Sequence, residues 1–113
     1  MSDAVRAALL ANGRLQQEAE GRSLDLMPVV KLFTPDAGAT WLLTEIDPDN
    51  TDIAFGLADL GLGCPELGYV SLTELGAVRG RLGLPIELDR HFRPDRPLSA
   101  YAAAATAAGR IVA

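Results

Sequence analysis

The chain has 113 residues, of which 49% are hydrophobic and 22% charged, and its formal net charge is −5 at pH 7. This composition excludes a disordered chain, and residues 1–113 are expected to form a single domain. Even its longest apolar runs, such as 101–105, are far shorter than the roughly 20 residues that a membrane-spanning helix needs. The lone Cys64 cannot form an internal disulfide, and the first residues do not resemble a secretory signal, so a cytoplasmic setting is expected.

Residues 2–20 carry the pattern of an N-terminal helix. Ser2 suits the N-cap position, and apolar residues then recur at helical spacing along one face. Inside a helix Gly13 costs about 1 kcal/mol relative to alanine, so the sequence leaves open a break at 12–13.

Short segments with the composition of β-strands follow the first helix, each bounded by turn residues. Because short strands joined by short turns pair with their neighbours, an antiparallel meander is expected. A brief edge strand at 86–88 is a further candidate within the otherwise irregular segment 83–97. The four predicted strands are 29–33, 40–46, 52–60 and 67–71.

Two more helices are predicted around and after the last strand of the meander. Ser71 is followed three residues later by Glu74, which is a capping-box pattern, so a helix is expected over 71–80. The alanine-rich segment 98–113 predicts a C-terminal helix that stops near Gly109. The expected fold is therefore α+β: an antiparallel meander of about four strands flanked by N-terminal, middle and C-terminal helices.

The central hairpin also predicts a register. If its turn pairs residue 47 with 52, Glu45 lies opposite Ala54 and shares one face of the sheet with Trp41 and Leu43. The partner strand offers small residues on that face, so a helix is expected to cover it and both faces to be buried. The opposite face would hold Leu42, Thr44, Ile46 and their partners Leu57, Phe55 and Ile53.

The charges are segregated along the chain. Residues 32–78 hold eight acidic residues and no lysine or arginine, whereas residues 79–96 hold five arginines. Either the two segments neutralise each other within the fold, or they form surfaces for a partner. The acidic balance disfavours direct binding to DNA or RNA. The candidate partner-binding residues are Asp47, Asp49, Asp52, Arg90, His91 and Arg93.

The acidic turn resembles the start of a calcium loop only in part. Asp47, Asp49 and Thr51 have the right spacing, but the glycine and the glutamate that such a loop requires further on are missing. The sequence DPDN is also common in ordinary turns, because Asp and Asn bond to their own backbone. The sequence therefore favours a turn, and no metal or cofactor is expected.

Other candidate groups do not form a recognisable catalytic motif. Glu45 and Asp59 lie in predicted strands, and each is expected to face solvent or to pair with an arginine of 79–96. His91 is the only histidine, and with Cys64 it would need two carboxylates to complete a zinc site, which is an uncommon ligand set. Cys64, His91 and an acid could form a thiol relay, but Cys64 lies in a turn before a proline, with no helix N-terminus or basic neighbour to activate it. No catalytic residue is assigned.

Two functional alternatives nevertheless stay open beside a binding protein. One is a small hydrolytic or metal-dependent enzyme that uses Glu45 or Asp59 with His91. The other is a small-molecule binding module whose pocket lies between helix and sheet. The pocket residues would be Trp41, Phe55 and Tyr69.

Several short motifs together resemble one family. They are KLFTPD (31–36), TEIDP (44–48), PELGYVSLTEL (65–75), RGRLGLPIELDRHF (79–92) and PLSAYA (97–102). In these motifs the chain resembles a numbered family of small bacterial proteins of unknown function that are common on plasmids and other mobile elements. The resemblance implies an accessory role on a mobile element, without a particular activity or ligand. The expected function is therefore that of a non-enzymatic, acidic accessory protein that binds another protein.

Overall fold

The computed structural model describes residues 1–113 and confirms the expected α+β fold. The sheet has five strands rather than about four. The additional strand is the candidate edge strand predicted at 86–88, which pairs with the first strand. No helix is long and apolar enough to cross a bilayer. The elements are α1 (Asp3–Glu18), β1 (Val30–Phe33), β2 (Thr40–Ile46), β3 (Ile53–Asp59), β4 (Glu66–Ser71), α2 (Leu72–Ala77), β5 (Glu87–Leu88) and α3 (Leu98–Ala108).

The sheet is antiparallel throughout, with the order β4-β3-β2-β1-β5. Helices cover both of its faces, as the sequence predicts. On the α1 face, Leu9 of α1 and Leu75 of α2 pack in one core with Trp41. On the α3 face, Tyr101 of α3 packs in a second core with Leu42.

The predicted register of the central hairpin is confirmed in one half and wrong in the other. Leu43 lies opposite Gly56, as expected, but Glu45 lies opposite Phe55 and not Ala54. A β-bulge between 43 and 45 shifts the pairing by one residue. Because side chains alternate along a strand, this shift exchanges the two faces for the rest of β2, while Ala54 and Phe55 of β3 keep their predicted faces.

The extra residue of the bulge is Thr44. The two residues after it, Glu45 and Ile46, lie on the faces opposite to those predicted. Glu45 lies with its partner Phe55 on the α3 face, while Ile46 is fully buried in the core of the α1 face. At Gly56 the strands approach closely, since a Cβ there would lie 2.0 Å from the carbonyl oxygen of Leu42. The glycine therefore provides the room that the bulged strand occupies.

α1 runs without a break through Gly13. It starts at the predicted cap, where Ser2 Oγ accepts a hydrogen bond from the Val5 N–H at 3.2 Å. Gly13 is buried, and a Cβ there would lie 1.9 Å from the carbonyl oxygen of Ile46. The glycine thus marks the closest approach of α1 to the sheet and not the break that the sequence left open.

α2 is shorter than predicted. Its cap is as expected, with Ser71 Oγ accepting from the Glu74 N–H at 3.2 Å. The helix nevertheless ends at Ala77, because residues after it enter a tight turn in which the Gly80 N–H donates to the carbonyl of Leu84 at 3.0 Å. α3, by contrast, ends where predicted, before the left-handed residue 109.

Replacing Gly13 with alanine is expected to destabilise the protein, although alanine has the higher helix propensity. The new methyl group would overlap the carbonyl of Ile46, and overpacking of this kind costs about 1–3 kcal/mol. Urea unfolding measures the change.

Gly76 of α2 offers a matched control, because a Cβ there meets nothing within 4 Å. Gly76→Ala should therefore stabilise the protein by up to about 1 kcal/mol. An unfolding midpoint for Gly13→Ala above that of the wild type would contradict the close approach.

Candidate functional site

The acidic and arginine-rich segments do not neutralise each other in the folded chain. The structure contains two salt bridges, Lys31–Asp89 at 3.4 Å and Arg96–Asp95 at 2.9 Å. Neither involves a carboxylate from residues 32–78. The charges that are segregated along the sequence are therefore not paired with each other in the structure.

The acidic tip, defined as Asp47, Asp49 and Asp52, joins β2 to β3. Asp47 Oδ1 accepts from the Asp49 N–H at 2.9 Å, which is the self-bonded turn that the sequence indicates. Asp49 Oδ2 accepts from Gln17 Nε2 of α1 at 2.8 Å. Both donors are neutral groups, so neither aspartate is part of an ion pair. No group of three or more His, Cys, Asp or Glu side chains is placed to hold a metal ion.

Asp52 also connects the hairpin to α2. Its carboxylate accepts from the hydroxyls of Ser71 and Thr73, both at 2.6 Å, and from the Thr73 N–H at 2.9 Å. The bonds from Ser71 and then Thr73 hold the pKa of Asp52 below its usual value, because they favour the charged carboxylate. Asp52 therefore contributes a negative charge to the tip and also holds the hairpin against the start of α2.

The arginine loop, defined as residues 89–93, follows the short edge strand β5. Arg90 and His91 are exposed, and their side chains bond to no other group of the chain. Arg93 Nη1 donates to two carbonyls of its own loop, at 3.1 and 3.0 Å. The loop borders two open cavities of ≈ 570 and ≈ 500 Å³. Its cationic groups can therefore meet a partner without breaking ion pairs.

Glu45 is half-buried beside a surface cavity and pairs with no arginine. Its Oε1 accepts from Gln16 Nε2 at 3.1 Å and lies 3.1 Å from the Thr44 hydroxyl. The reason is the bulge, which turns the half-buried carboxylate toward these neutral donors. On the α3 face Glu45 lies in a row with Phe55 and Tyr69, one residue from each of three neighbouring strands.

The expectation that Asp59 faces solvent or pairs with an arginine is wrong. It is only 4% exposed; Oδ1 accepts from the Gly61 N–H at 2.8 Å and Oδ2 from the Ile111 N–H at 2.9 Å. Both donors are backbone groups, supplied by the following turn and by the segment after α3. Asp59 therefore attaches residues 109–113 to the sheet.

The enzymatic alternative requires His91 to lie near Glu45 or near Asp59, and the structure brings it to neither. Glu45 lies opposite Phe55, which is four residues before Asp59 in β3, so the two carboxylates are about 14 Å apart along the sheet. His91 lies beyond β5, and the cavities that it borders are lined by neither carboxylate.

The three candidate pocket residues are likewise divided between the faces. Trp41 is buried in the core of the α1 face. Phe55 and Tyr69 contact each other on the α3 face, with ring centroids 5.0 Å apart and planes at 61°. They border a cavity of ≈ 290 Å³ together with Gln16 and Glu45.

Asp36 is a connecting residue for which the sequence offers no signal. It lies in the turn between β1 and β2, and its Oδ2 accepts from the backbone N–H groups of Leu82 and Leu84 at 2.6 and 3.3 Å. Gly80 packs directly against the carboxylate, since a Cβ there would overlap Oδ1. Its partners lie more than forty residues away, so only the fold reveals them.

These features define an α+β protein with a five-stranded antiparallel sheet, helices on both faces and two charged segments that do not neutralise each other. The family model described as "Protein of unknown function (DUF2958)" matches residues 1–112, and the chain belongs to this family. The resemblance of the sequence motifs to a numbered family of unknown function is therefore confirmed. No curated protein and no solved structure matches the chain.

Replacing Asp52 with asparagine is expected to lower stability at pH 7. A carboxyl group whose folded pKa is depressed stabilises the fold above its unfolded pKa, and this contribution disappears as the pH falls through the folded pKa. The difference between wild type and Asp52→Asn should therefore shrink below about pH 4. Thermal unfolding from pH 7 to pH 2 measures it, with Asp49→Asn as the control on the same turn. A difference independent of pH would contradict this role.

Replacing Asp59 with asparagine should loosen the chain after α3. The amide group cannot accept both backbone hydrogen bonds, and a buried donor left unpaired costs about 1–3 kcal/mol. Urea unfolding gives the loss, and faster hydrogen exchange of the Ile111 amide locates it. Unchanged exchange at Ile111 would show that Asp59 does not hold this segment.

Proposed function

We propose that this chain is a single-domain, non-enzymatic accessory protein that binds another protein through its charged groups, in the setting of a mobile element or of DNA processing. The observation that carries the proposal is that no salt bridge joins the acidic segment to the arginine-rich segment. The proposed contacts are the acidic tip (Asp47, Asp49 and Asp52) and three residues of the arginine loop (Arg90, His91 and Arg93). A cytoplasmic location and the absence of a cofactor belong to the same proposal.

Un-neutralised charges favour partner binding for a physical reason. Six of the acidic side chains in residues 32–78 bond to neutral donors, which hold each carboxylate in place without cancelling its charge. A partner of opposite charge would be attracted over a distance, and its association would be fast and sensitive to salt. The net charge of −5 supports a protein rather than a nucleic acid as the ligand.

The arginine loop is the better supported of the two proposed contact regions. Arg90 and His91 make no side-chain bonds within the chain, so nothing is broken when they bind. In the acidic tip, Asp49 already accepts a hydrogen bond from Gln17, and Asp52 accepts one from Ser71 at the start of α2. Exposed arginines also form bidentate bonds with carboxylates, which makes them frequent contributors to binding energy.

A pull-down of tagged protein from host lysate, with and without nuclease, tests the proposal. The expected result is a nuclease-resistant protein that binds in stoichiometric amount. Replacing Arg90, His91 and Arg93 together with glutamine should weaken its binding roughly tenfold or more. Asp47→Asn with Asp49→Asn should have a smaller effect of the same sign.

The matched control removes two exposed arginines outside the loop, Arg14 and Arg81. It changes the net charge by the same two positive charges as the loop variant, so general electrostatics are held equal. Binding that survives neutralisation of both the loop and the tip would contradict the proposal.

A further inference from the structure

We infer that the open edge of β4, together with the cavity beside Glu45, forms a binding site for an extended peptide segment with an arginine or lysine. The site is separate from the acidic tip and the arginine loop. It rests on the proposed function only in that the ligand is part of a protein.

The outer edge of β4 offers free backbone groups. The Leu72 N–H donates to the carbonyl of Asp52 at 2.7 Å, and hydrogen-bonded pairs alternate along an antiparallel ladder. The backbone groups of Gly68 and Val70 therefore point to β3, whereas those of Leu67 and Tyr69 point outward. No other segment bonds to them. An added strand would find N–H and C=O partners there.

The side chains of this edge are apolar and uncovered. Leu67 is 50% exposed and Tyr69 73% exposed, and they point to the same face because they are two residues apart. α3 covers the middle of this face but leaves these two side chains open. An added strand would shield them on one side and place its own side chains next to Tyr69.

The cavity next to Tyr69 has the composition of a cation site. It measures ≈ 290 Å³ and is bordered by the rings of Phe55 and Tyr69 and by Glu45. Glu45 Oε1 is held by Gln16, whereas Oε2 has no partner in the chain. A cation here would gain a charge-assisted bond and two aromatic neighbours. The volume is at the lower end of small-molecule pockets, about 300–1,000 Å³, which favours a side chain.

Geometry selects the longest cationic side chains. A strand added to β4 would lie three strand spacings, about 14 Å, from β2, which carries Glu45. Among cationic side chains, arginine and lysine extend furthest across Tyr69 toward the carboxylate. One arginine of this chain, Arg22, borders the cavity without an ion pair, and its charge opposes an incoming cation.

A second copy of the chain does not fit this site. β4 contains Glu66 and no basic residue, so a β4–β4 pair would leave the Glu45 cavity without a cation. Two chains of charge −5 would also repel each other. The complementary ligand is therefore a basic strand from another protein.

The probe is a fluorescein-labelled seven-residue peptide of alternating valine and threonine with one central arginine, measured by fluorescence anisotropy with the full chain. A citrulline peptide keeps the shape and removes the charge, and it should bind roughly tenfold more weakly. A diaminobutyrate peptide, which keeps the charge on a shorter side chain, should be weakened similarly. Backbone N-methylation on the edge-facing side should abolish binding.

Protein variants assign the binding to named residues. Glu45→Gln keeps an oxygen for Gln16 and should remove the preference for arginine over citrulline. Tyr69→Ala should weaken binding roughly tenfold, whereas Arg22→Ala should strengthen it a few-fold. Glu87→Gln, a carboxylate change on the opposite edge strand, is the control and should have no effect.

Three results would overturn the site: no binding of any peptide, equal binding of the arginine and citrulline peptides, or self-association that Tyr69→Ala abolishes. A lysate partner that depends on the arginine loop, together with no binding of any peptide, would overturn the site while leaving the proposed function intact. Peptide binding with no lysate partner would support the site and contradict the proposed function.

Discussion

The β-bulge at Thr44 is the constraint on which the rest of this structure depends. Without it, the alternation of β2 would direct Glu45 into the core beneath α1 and Ile46 toward the opposite face. A carboxylate in that core would need a partner or a proton, since burying a lone charge is costly. Two glycines provide room beside the bulge. Gly56 leaves space for the bulged strand, and Gly13 lets α1 approach the carbonyl of Ile46. The elements β2, β3 and α1 are therefore in close contact at the bulge.

Carboxylates hold the periphery of the fold together without ion pairs. Asp36 binds the turn at 80–84, Asp52 binds the start of α2, and Asp59 binds the segment after α3. Hydrogen bonds to a charged acceptor are stronger than those between neutral groups, so each carboxylate fixes a long-range contact. Asp52 therefore stabilises the fold and also contributes to its acidic surface, whereas Asp59 is buried. A salt bridge would have served only the first purpose.

Local patterns in the sequence predict much of this architecture. Ser2 and Ser71 cap their helices as expected, and the turn chemistry of DPDN places the central hairpin. The bulge could not be foreseen, because TWLLTEI alternates well enough for a regular strand. The partners of Asp36 and Asp59 are backbone groups distant in the chain, which carry no residue-type signature. The predicted register does place Trp41 and Phe55 on opposite faces, and the structure confirms this.

The two edges of the sheet are protected to different degrees, and this asymmetry bears on function. β5 has two residues and is followed by the charged arginine loop, which discourages a further strand. β4 has six residues, contains no lysine or proline, and exposes Leu67 and Tyr69. An unprotected edge is a liability unless something occupies it. A partner that pairs with β4 and also reaches the arginine loop would have to cross a whole face of the sheet. The two regions therefore suit either a long, wrapping segment or two separate ligands.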